Sequence, residues 1–339
     1  MAVIGAGLSG LSAARTLRDR GHEVRIFDKG RGVGGRTATR RSDPFAFDHG
    51  AQYFTVRNDR FARLVAAWRE AGIVAPWPGR IAVLKHGACE TANPQERYVG
   101  VPGMNAIATR LAEDLDITLQ TRITELAREA DAWRLADESG PIAGAFDVLI
   151  VALPAAQAAE LIGGLSDLAE SARACTIAPC WAVMLGFDRP PTTGFDGAFV
   201  HDSPLSWIAC NSSKPGRGAA ESWVLHAGPA WSEAHLEDAR ETVVTALTDA
   251  FEQVAGLGPL RPVHADAHRW RYALPPEPLG AGALWDADKR IAVCGDWCHG
   301  ARIEGAFLSG LSAAGVVPGP AEAQGNEPGE TPDIPERDQ

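Results

Sequence analysis

The 339-residue sequence has few cysteines, and they are spread without a metal-binding pattern. Its six cysteines are too sparse and too irregularly spaced for a disulfide framework or a zinc site. Most of them are therefore expected to be buried, reduced thiols, and no metal site is expected. Cys294 and Cys298 flank a motif described below, and a redox role for this pair stays open although its spacing is not CxxC.

An excess of basic residues is also absent, since the net charge at pH 7 is -11. The segment 318–339 supplies -5 of this charge, with six carboxylates against the single Arg337, so the remainder is only mildly acidic. A nucleic-acid partner needs a clustered basic face. The one dense basic run, Lys29 to Arg41, has another use that is given below, so we expect no nucleic-acid partner.

Long apolar runs are missing as well, because no stretch approaches the ~20 residues that span a bilayer. The amino terminus leads directly into a strand, without the basic region or the cleavage site of a secretory signal. We expect a cytoplasmic protein without a membrane partner. The segment 318–339 is rich in Pro, Gly and Glu and has almost no apolar residues, which predicts disorder.

The chain exceeds the ~100 to 200 residues of one ordinary domain, which predicts two domains that share one crevice. Strand, glycine turn, helix and strand follow one another over residues 1–27, as at the start of a doubly wound sheet. Apolar strands at 148–153 and 291–294 and a helix at 302–316 return to this pattern. The predicted cofactor domain consists of 1–74, 103–156 and 288–317, and the predicted substrate domain of 75–102 and 157–287.

Gly5, Gly7 and Gly10 form a GxGxxG directly after a strand and at the start of a helix. Gly5 permits the tight turn, Gly7 lets the backbone approach a pyrophosphate, and Gly10 lets the helix pack close to the strand. The amino terminus of the helix offers free N–H groups and a partial positive charge to phosphates. Asp28 ends the second strand, where a carboxylate can accept hydrogen bonds from both ribose hydroxyls. The motif indicates a dinucleotide but does not separate FAD from NAD.

Two further segments favour FAD. Gly34, Gly35 and Arg36 bring more backbone and positive charge towards the pyrophosphate, which plain NAD domains do not need. Near the other end, a strand runs into Gly295 and Asp296 and then into a helix rich in small residues. In these segments the chain resembles the flavin-dependent amine oxidase superfamily. The resemblance implies that the amino terminus of this helix points at the flavin, where it would stabilise the negative charge near N1 of reduced flavin by ~0.3 to 1 kcal/mol.

This resemblance implies an α/β fold with a Rossmann-type FAD-binding domain and a second, α+β substrate domain, as in amine oxidases and p-hydroxybenzoate hydroxylase. FAD is expected to be non-covalent, because no Cys or His lies in a segment that matches a covalent flavin linkage. The candidate cofactor-binding residues are Gly5, Gly7, Leu8, Ser9, Gly10, Asp28, Lys29, Gly34, Gly35, Arg36, Ala51, Gln52, Ile123, Gly295, Asp296, Arg302, Ile303, Glu304 and Ala306.

Within the superfamily the chain most resembles the renalase-like group, over about residues 1–317. The matching segments are DHGAQYFTVR (48–57), YVGVPGMNAIA (98–108), VHDSPLSWIACNSSKP (200–215), HRWRYALP (268–275), and CGDWC with RIEGAFLSG (294–310). The resemblance implies an oxidase of the 2-dihydro and 6-dihydro isomers of NAD(P)H, which passes a hydride to FAD and two electrons to oxygen and yields NAD(P)+ and hydrogen peroxide. The expected partners are therefore a small-molecule dihydronicotinamide dinucleotide and oxygen, with the chain a monomer or weak dimer.

Hydride loss from a dihydronicotinamide creates an aromatic cation without removing a proton from carbon, so the reaction needs no general base. Stacking, orientation and an electron-accepting flavin suffice. The sequence accordingly shows no Ser/His/Asp arrangement or carboxylate pair that requires a catalytic role. Flat surfaces and polar atoms for the substrate are offered by Tyr53, Trp207, His226, His268, Trp270, Tyr272 and His299.

Two other function classes stay open on the sequence. The first is an amine oxidase or desaturase of the same superfamily. Amine oxidases resemble one another in an aromatic cage, but His299 stands at the position of the second cage tyrosine, and the chain has only three tyrosines. The second is a non-enzymatic sensor of flavin or dinucleotide, which retained oxidase turnover would separate from the enzymes.

Overall fold

The computed structural model describes residues 1–319, so the segment predicted to be disordered, 318–339, lies outside the described residues apart from its first two. Within the described part, no helix combines the length and the apolar character that a membrane crossing requires. The helices are α1 (Leu8–Asp19), α2 (Asp59–Glu70), α3 (Ala106–Ala112), α4 (Ala155–Leu161), α5 (Leu168–Ala174), α6 (Pro229–Ala234), α7 (Arg240–Ala255), α8 (Asp296–His299) and α9 (Ile303–Val316).

The strands form two large sheets and three small ones within residues 1–319. In chain order they are β1 (Ala2–Ile4), β2 (Arg25–Phe27), β3 (Arg40–Ser42), β4 (Phe45–Phe47), β5 (Val74–Pro76), β6 (Ile81–Lys85), β7 (Ala88–Thr91), β8 (Tyr98–Gly100), β9 (Asp116–Thr118), β10 (Ile123–Glu129), β11 (Ala132–Asp137), β12 (Gly140–Pro141), β13 (Leu149–Val151), β14 (Ala178–Phe187), β15 (Gly197–Val200), β16 (Leu205–Cys210), β17 (Glu221–Ala227), β18 (His264–Leu274), β19 (Leu284–Asp286) and β20 (Ile291–Val293).

The first large sheet has the strand order β19-β20-β13-β1-β2-β9. All neighbours in it are parallel except the edge pair β19–β20. Its central strands are buried throughout, as parallel strands covered on both faces must be. Alternate residues point to different cores: Val3 packs with α1, α3 and α9, whereas Ile4 packs with α4, α5 and the β10–β12 sheet. This is the doubly wound α/β fold that the first 27 residues predict.

The order of the strands also locates a binding crevice. β1 leads on to its neighbour β2, whereas β13, on the other side of β1, leads on to its neighbour β20, so the connections after β1 and β13 run in opposite directions across the sheet. In doubly wound sheets, ligands bind where the strand order reverses, outside the carboxyl ends of the strands.

The second large sheet has the order β18-β14-β17-β16-β15-β6-β7 and is antiparallel except at β15–β6. Helix α7 covers one face through a core that includes Trp181, Trp223 and Phe251. All seven strands come from the predicted substrate segments 75–102 and 157–287. β19 and α5 depart from that division. Both fall inside 157–287, but β19 pairs with β20 of the first sheet, and α5 packs in the core on one face of that sheet. The domain boundaries stay a prediction.

Candidate functional site

A cavity of about 1510 Å³ opens at the carboxyl ends of the parallel strands. Residues that follow β1, β2, β13 and β20 line one side of it, among them Gly5, Asp28 and Asp296. The carboxyl end of β18, His268–Leu274, lines another side. The cavity therefore lies between the two large sheets, where the strand order of the first sheet predicts a ligand.

The first glycine turn is shaped by close backbone approach. Gly5 has a φ of +109°, and a Cβ there would lie 2.5 Å from the Ala152 carbonyl oxygen, so no other residue fits. A Cβ on Gly10 would collide with the Gly5 carbonyl oxygen. A Cβ on Gly7, in contrast, would meet no atom within 4 Å, although Gly7 lines the cavity. Gly7 thus leaves an open cradle at the start of α1, whose amino terminus has no side-chain cap.

Asp28 closes the far side of this cradle. Its Oδ2 accepts a hydrogen bond from the Ala6 N–H at 2.6 Å, and its Oδ1 accepts one from the Gly30 N–H at 2.6 Å. The carboxylate therefore joins the glycine turn to the loop after β2. Each oxygen has a second lone pair, and because Asp28 lines the cavity, that lone pair is available to a ribose hydroxyl.

We predict that Asp28→Ala weakens the binding of a dinucleotide cofactor by about 10- to 100-fold, because hydrogen bonds to a charged group contribute ~1.5 to 3 kcal/mol. The measurement is fluorescence titration of the apoprotein with the cofactor. Asp19→Ala is the matched control, since Asp19 lies at the exposed end of α1 and should leave affinity unchanged. If Asp28→Ala binds the cofactor as tightly as the control does, the ribose assignment is wrong.

The second glycine segment and the closing motif meet directly. The Arg36 guanidinium donates to both Asp296 carboxylate oxygens, at 2.9 and 2.7 Å, and also to the Ala273 carbonyl at 2.8 Å. The Gly34 N–H donates to the Ala6 carbonyl at 2.8 Å. Arg36 therefore ties the glycine loop to the end of β20 and to β18. The sequence predicted both Arg36 and Asp296 as cofactor residues but not that they form an ion pair.

Most predicted cofactor residues line the cavity, and three do not. Gly10 packs inside the turn. Gln52 is buried, donates to the Asp48 and Gly50 carbonyls, and accepts from Lys214. Glu304 is also buried, and its Oε1 accepts the backbone N–H groups of Arg57 and Asn58 at 2.9 and 2.7 Å. These two polar side chains hold backbone segments and are turned away from the cavity.

The predicted substrate residues divide in the same way. Tyr53, His226, His268, Trp270 and Tyr272 line the cavity. Trp207 packs instead against Phe199 and Tyr53, with ring centroids 4.8 and 5.4 Å away, and is only 6% exposed. His299 ends the short helix α8 on the exposed surface. Neither Trp207 nor His299 belongs to the cavity lining, because Trp207 is buried in the core and His299 is exposed at the surface.

A buried charged cluster beside the site was not predicted. Asp48 is fully buried, and its carboxylate accepts from Lys214 Nζ at 3.4 Å, from Arg217, from Thr39 Oγ1 at 2.8 Å and from the Met104 N–H at 2.9 Å. Burial alone would raise the pKa of Asp48, but Lys214 and Arg217 outweigh it and hold that pKa below its usual value. Burial lowers the pKa of Lys214 to about 8, against the opposing effect of Asp48. The cluster joins the segment after β4 to the segment after β16.

Cys294 and Cys298 are both buried, and burial raises the pKa of Cys294 to about 12 and that of Cys298 still further. Neither is a thiolate at neutral pH, so the pair lacks the nucleophile that thiol–disulfide exchange needs.

The lining of the cavity is strongly cationic. Its three carboxylates are Asp28, Glu160 and Asp296. Its ten cationic side chains are Lys29, Arg31, Arg36, Arg40, Arg41, Arg57, Arg122, Arg269, Arg271 and Arg302. Half of these form ion pairs, with Asp266, Glu138, Glu237 and Asp296 as the partners. The cavity therefore favours ligands that carry several negative charges.

Two family models match the chain. Residues 3–68 match the NAD(P)-binding Rossmann-like domain, and residues 83–318 match the flavin containing amine oxidoreductase. A 4,4'-diapophytoene desaturase of Staphylococcus aureus is 52% identical over 50 residues, which is 15% of this chain and 10% of that protein. The match thus covers only a tenth of the length of that relative.

Solved structures with the same fold cover 93% of the chain. They include a putative protoporphyrinogen oxidase from Exiguobacterium (TM-score 0.75, 14% identity, 97% of that chain covered). Cyclohexylamine oxidase from Brevibacterium oxydans (TM-score 0.73, 13% identity) and putrescine oxidase bound to putrescine (TM-score 0.71, 14% identity) are also similar, each with 97% of its chain covered. At these identities the similarity shows the fold and not the substrate.

Proposed function

Since the chain belongs to the flavin containing amine oxidoreductase family, and so is an FAD-dependent oxidoreductase, we propose that its substrates are the 2-dihydro and 6-dihydro isomers of NAD(P)H. The observation that carries this proposal is the cavity lining, which combines flat rings with an excess of cations. A dinucleotide needs both, because its nicotinamide stacks and its pyrophosphate is anionic. The similarity to the renalase-like group in five segments supports the same substrate.

The cavity fits FAD in three places. The cradle at Gly7 and the amino terminus of α1 would hold the pyrophosphate, and Asp28 would hold the adenosine ribose. The start of α9, where Ile303 and Ala306 line the cavity, would face the flavin ring. We propose that no covalent bond is formed. Cys180 also lines the cavity, but burial raises its pKa to about 12 and keeps it a thiol.

Bound FAD would supply a two-electron acceptor, through which a hydride from the nicotinamide ring, with a solvent proton, would reduce oxygen to hydrogen peroxide. The substrate leaves as aromatic NAD(P)+, and no carbon-bound proton has to be removed. The residues of the chain therefore need only to stack, orient and exclude water. Trp270 and Tyr272 at the end of β18 offer the stacking surfaces.

The charge of the lining argues against an amine as the substrate. A primary amine is a cation at neutral pH and is drawn to carboxylates. Of the three carboxylates in the lining, Asp296 is occupied by Arg36, and Asp28 lies in the predicted ribose site. His299, at the position of the second cage tyrosine, lies outside the lining. The lining therefore offers an amine only Glu160 as a further carboxylate, and no ring from the position of the second cage tyrosine.

We predict that 6-dihydro-NAD(P) or 2-dihydro-NAD(P) bleaches the flavin rapidly without oxygen, whereas benzylamine, tyramine and spermine do not. Anaerobic stopped-flow absorbance measures this directly. Ordinary 4-dihydro-NAD(P)H should react about 100-fold more slowly, because bringing its hydride carbon over flavin N5 displaces the carboxamide and ribose, and a ~1 Å misplacement costs about that much.

Fast bleaching by an amine, with none by either dihydronicotinamide isomer, would move the chain to the amine oxidase or desaturase function. Equal rates for the 2-, 4- and 6-dihydro isomers would show that the pocket does not orient the ring. Hydrogen peroxide should appear in equal amount to NAD(P)+ when oxygen is admitted, which tests oxygen as the electron acceptor.

A further inference from the structure

Three imidazoles and an indole form one wall of the cavity. The rings of His49 and His268 meet edge to face, with centroids 4.9 Å apart and planes at 82°. Trp270 lies 5.0 Å from His49 and 4.3 Å from His268. His226 approaches the same place from β17, and all four residues line the cavity. Residues from three separate segments thus converge on one surface, which we call the histidine wall.

The histidine wall is uncharged at neutral pH. Burial lowers the pKa of His49, His226 and His268 to about 4 each. Arg40 acts in the same direction on His49 and His268, and Lys214 on His226. The opposing effects are smaller than that of burial: they come from Asp48 and the Phe47 carbonyl on His49, from the His49 carbonyl on His226, and from Asp266 on His268. Each ring therefore presents one N–H donor and one acceptor nitrogen.

Two of the four rings already have fixed hydrogen-bond partners. Trp270 Nε1 donates to the His49 carbonyl at 2.9 Å, and His226 Nε2 lies 3.2 Å from the same oxygen. These bonds hold the backbone at His49. The other two rings have spare capacity. His49 is 6% exposed, yet its Nδ1 has no hydrogen-bond partner. The His268 ring contacts the rings of His49 and Trp270 and has no side-chain hydrogen bond among residues 1–319.

An unpartnered polar atom in a buried position needs an explanation, and a ligand in the adjoining cavity is a direct one. We propose that His49 and His268 bind an uncharged amide of the substrate, which under the proposed function is the nicotinamide carboxamide, and so position the ring. The proposal rests on the proposed function. A primary amide offers a carbonyl acceptor and two N–H donors, which match the donor and acceptor of neutral imidazoles.

The chemistry of the wall favours an amide over the other groups that fit its size. A carboxylate would meet three neutral imidazoles, and Arg40, the cation that acts on His49 and His268, is already paired with Asp266. A protonated amine would find acceptor nitrogens but no anion. An amide finds a donor for its carbonyl oxygen and an acceptor for its N–H group. Trp270 beside it offers a flat face to the attached ring. The arrangement therefore selects the carboxamide end of the substrate and fixes its rotation.

The test compares two substrates on three proteins. The substrates are 6-dihydro-NAD and its analogue in which an acetyl group replaces the carboxamide, so that only the amide NH₂ is lost. Wild type should prefer the amide by about 10-fold in the rate constant of anaerobic flavin bleaching divided by Kd. In His268→Leu this preference should fall to about 1, while His268→Gln, which keeps a donor and an acceptor, should restore part of it.

His264→Leu is the matched control, because His264 lies on the same strand, stacks on Phe45 and Phe47, and is outside the cavity lining. It should keep the full preference for the amide. A purely structural role of His268 would slow both substrates equally and leave the ratio near that of wild type, which would overturn the inference alone. His49→Leu should likewise lower the ratio. No bleaching of wild type by any dihydronicotinamide would overturn the proposed function together with the inference.

Discussion

Replacing Asp48 by alanine should lower the free energy of unfolding by about 3 to 5 kcal/mol, a large fraction of the ~5 to 15 kcal/mol that stabilises a typical domain. The carboxylate has no exposed surface, and the side chains of Lys214 and Arg217 are 0% and 2% exposed. Removing it leaves two buried cations without a counter-ion, together with an unpaired Met104 N–H. Urea unfolding followed by circular dichroism measures the loss.

The control is an ion pair of the same type at the surface. Glu129 pairs with Arg134 at 3.1 Å, and both side chains are about half exposed, at 66% and 49%. Glu129→Ala should change the free energy of unfolding by less than about 1 kcal/mol. Asp48→Asn combined with Lys214→Met removes one charge of each sign and should recover part of the loss. Equal small effects at Asp48 and Glu129 would show that the buried cluster contributes little.

The parts of this fold that the sequence predicts are local in the chain. The turn at Gly5, the helix α1 and the strand before Asp28 follow one another, and their spacing indicates a doubly wound sheet. The closing strand and helix are predicted in the same way, within one or two residues of the observed bounds of β20 and α9. Hydrophobic patterning and glycine spacing extend over only a few residues of the chain, so these elements can be predicted without knowledge of the fold.

The parts that could not be predicted involve residues far apart in the sequence. Asp48 and Lys214 are separated by 166 residues, and no periodicity connects them. His49 lies in the segment 48–57, which carries part of the family resemblance, but only the fold brings it to His268 on β18. Trp207 and His299 were predicted from residue type, and the structure places Trp207 in the core and His299 at the surface, both outside the cavity lining. Residue type alone does not say which side of a strand or helix faces the cavity.

Gly7→Ala should leave the apoprotein folded and lower its affinity for FAD by about 100-fold. A Cβ at Gly7 meets no atom of the chain within 4 Å, and the φ of -75° suits any residue, so folding loses nothing. The same Cβ occupies the cradle in which the pyrophosphate must approach the backbone. Forcing an extra carbon into a well-packed contact costs ~1 to 3 kcal/mol, which is ~10- to 100-fold in affinity. Because the start of α1 is held in place and cannot move aside, we expect the loss of affinity at Gly7 to lie at the upper end of this range.

Gly10→Ala separates this effect from damage to the turn. Its Cβ would collide with the Gly5 carbonyl oxygen and lie 3.1 Å from the Ala152 Cβ, so α1 could not stay against β1 and β13. Thermal melting of the apoproteins should therefore show a fall for Gly10→Ala and none for Gly7→Ala, while FAD titration should show weak binding by both. A Gly7→Ala protein that binds FAD with wild-type affinity would place the pyrophosphate elsewhere in the cavity. A Gly7→Ala apoprotein that melts as early as Gly10→Ala would mean that Gly7 serves the turn and not the cofactor.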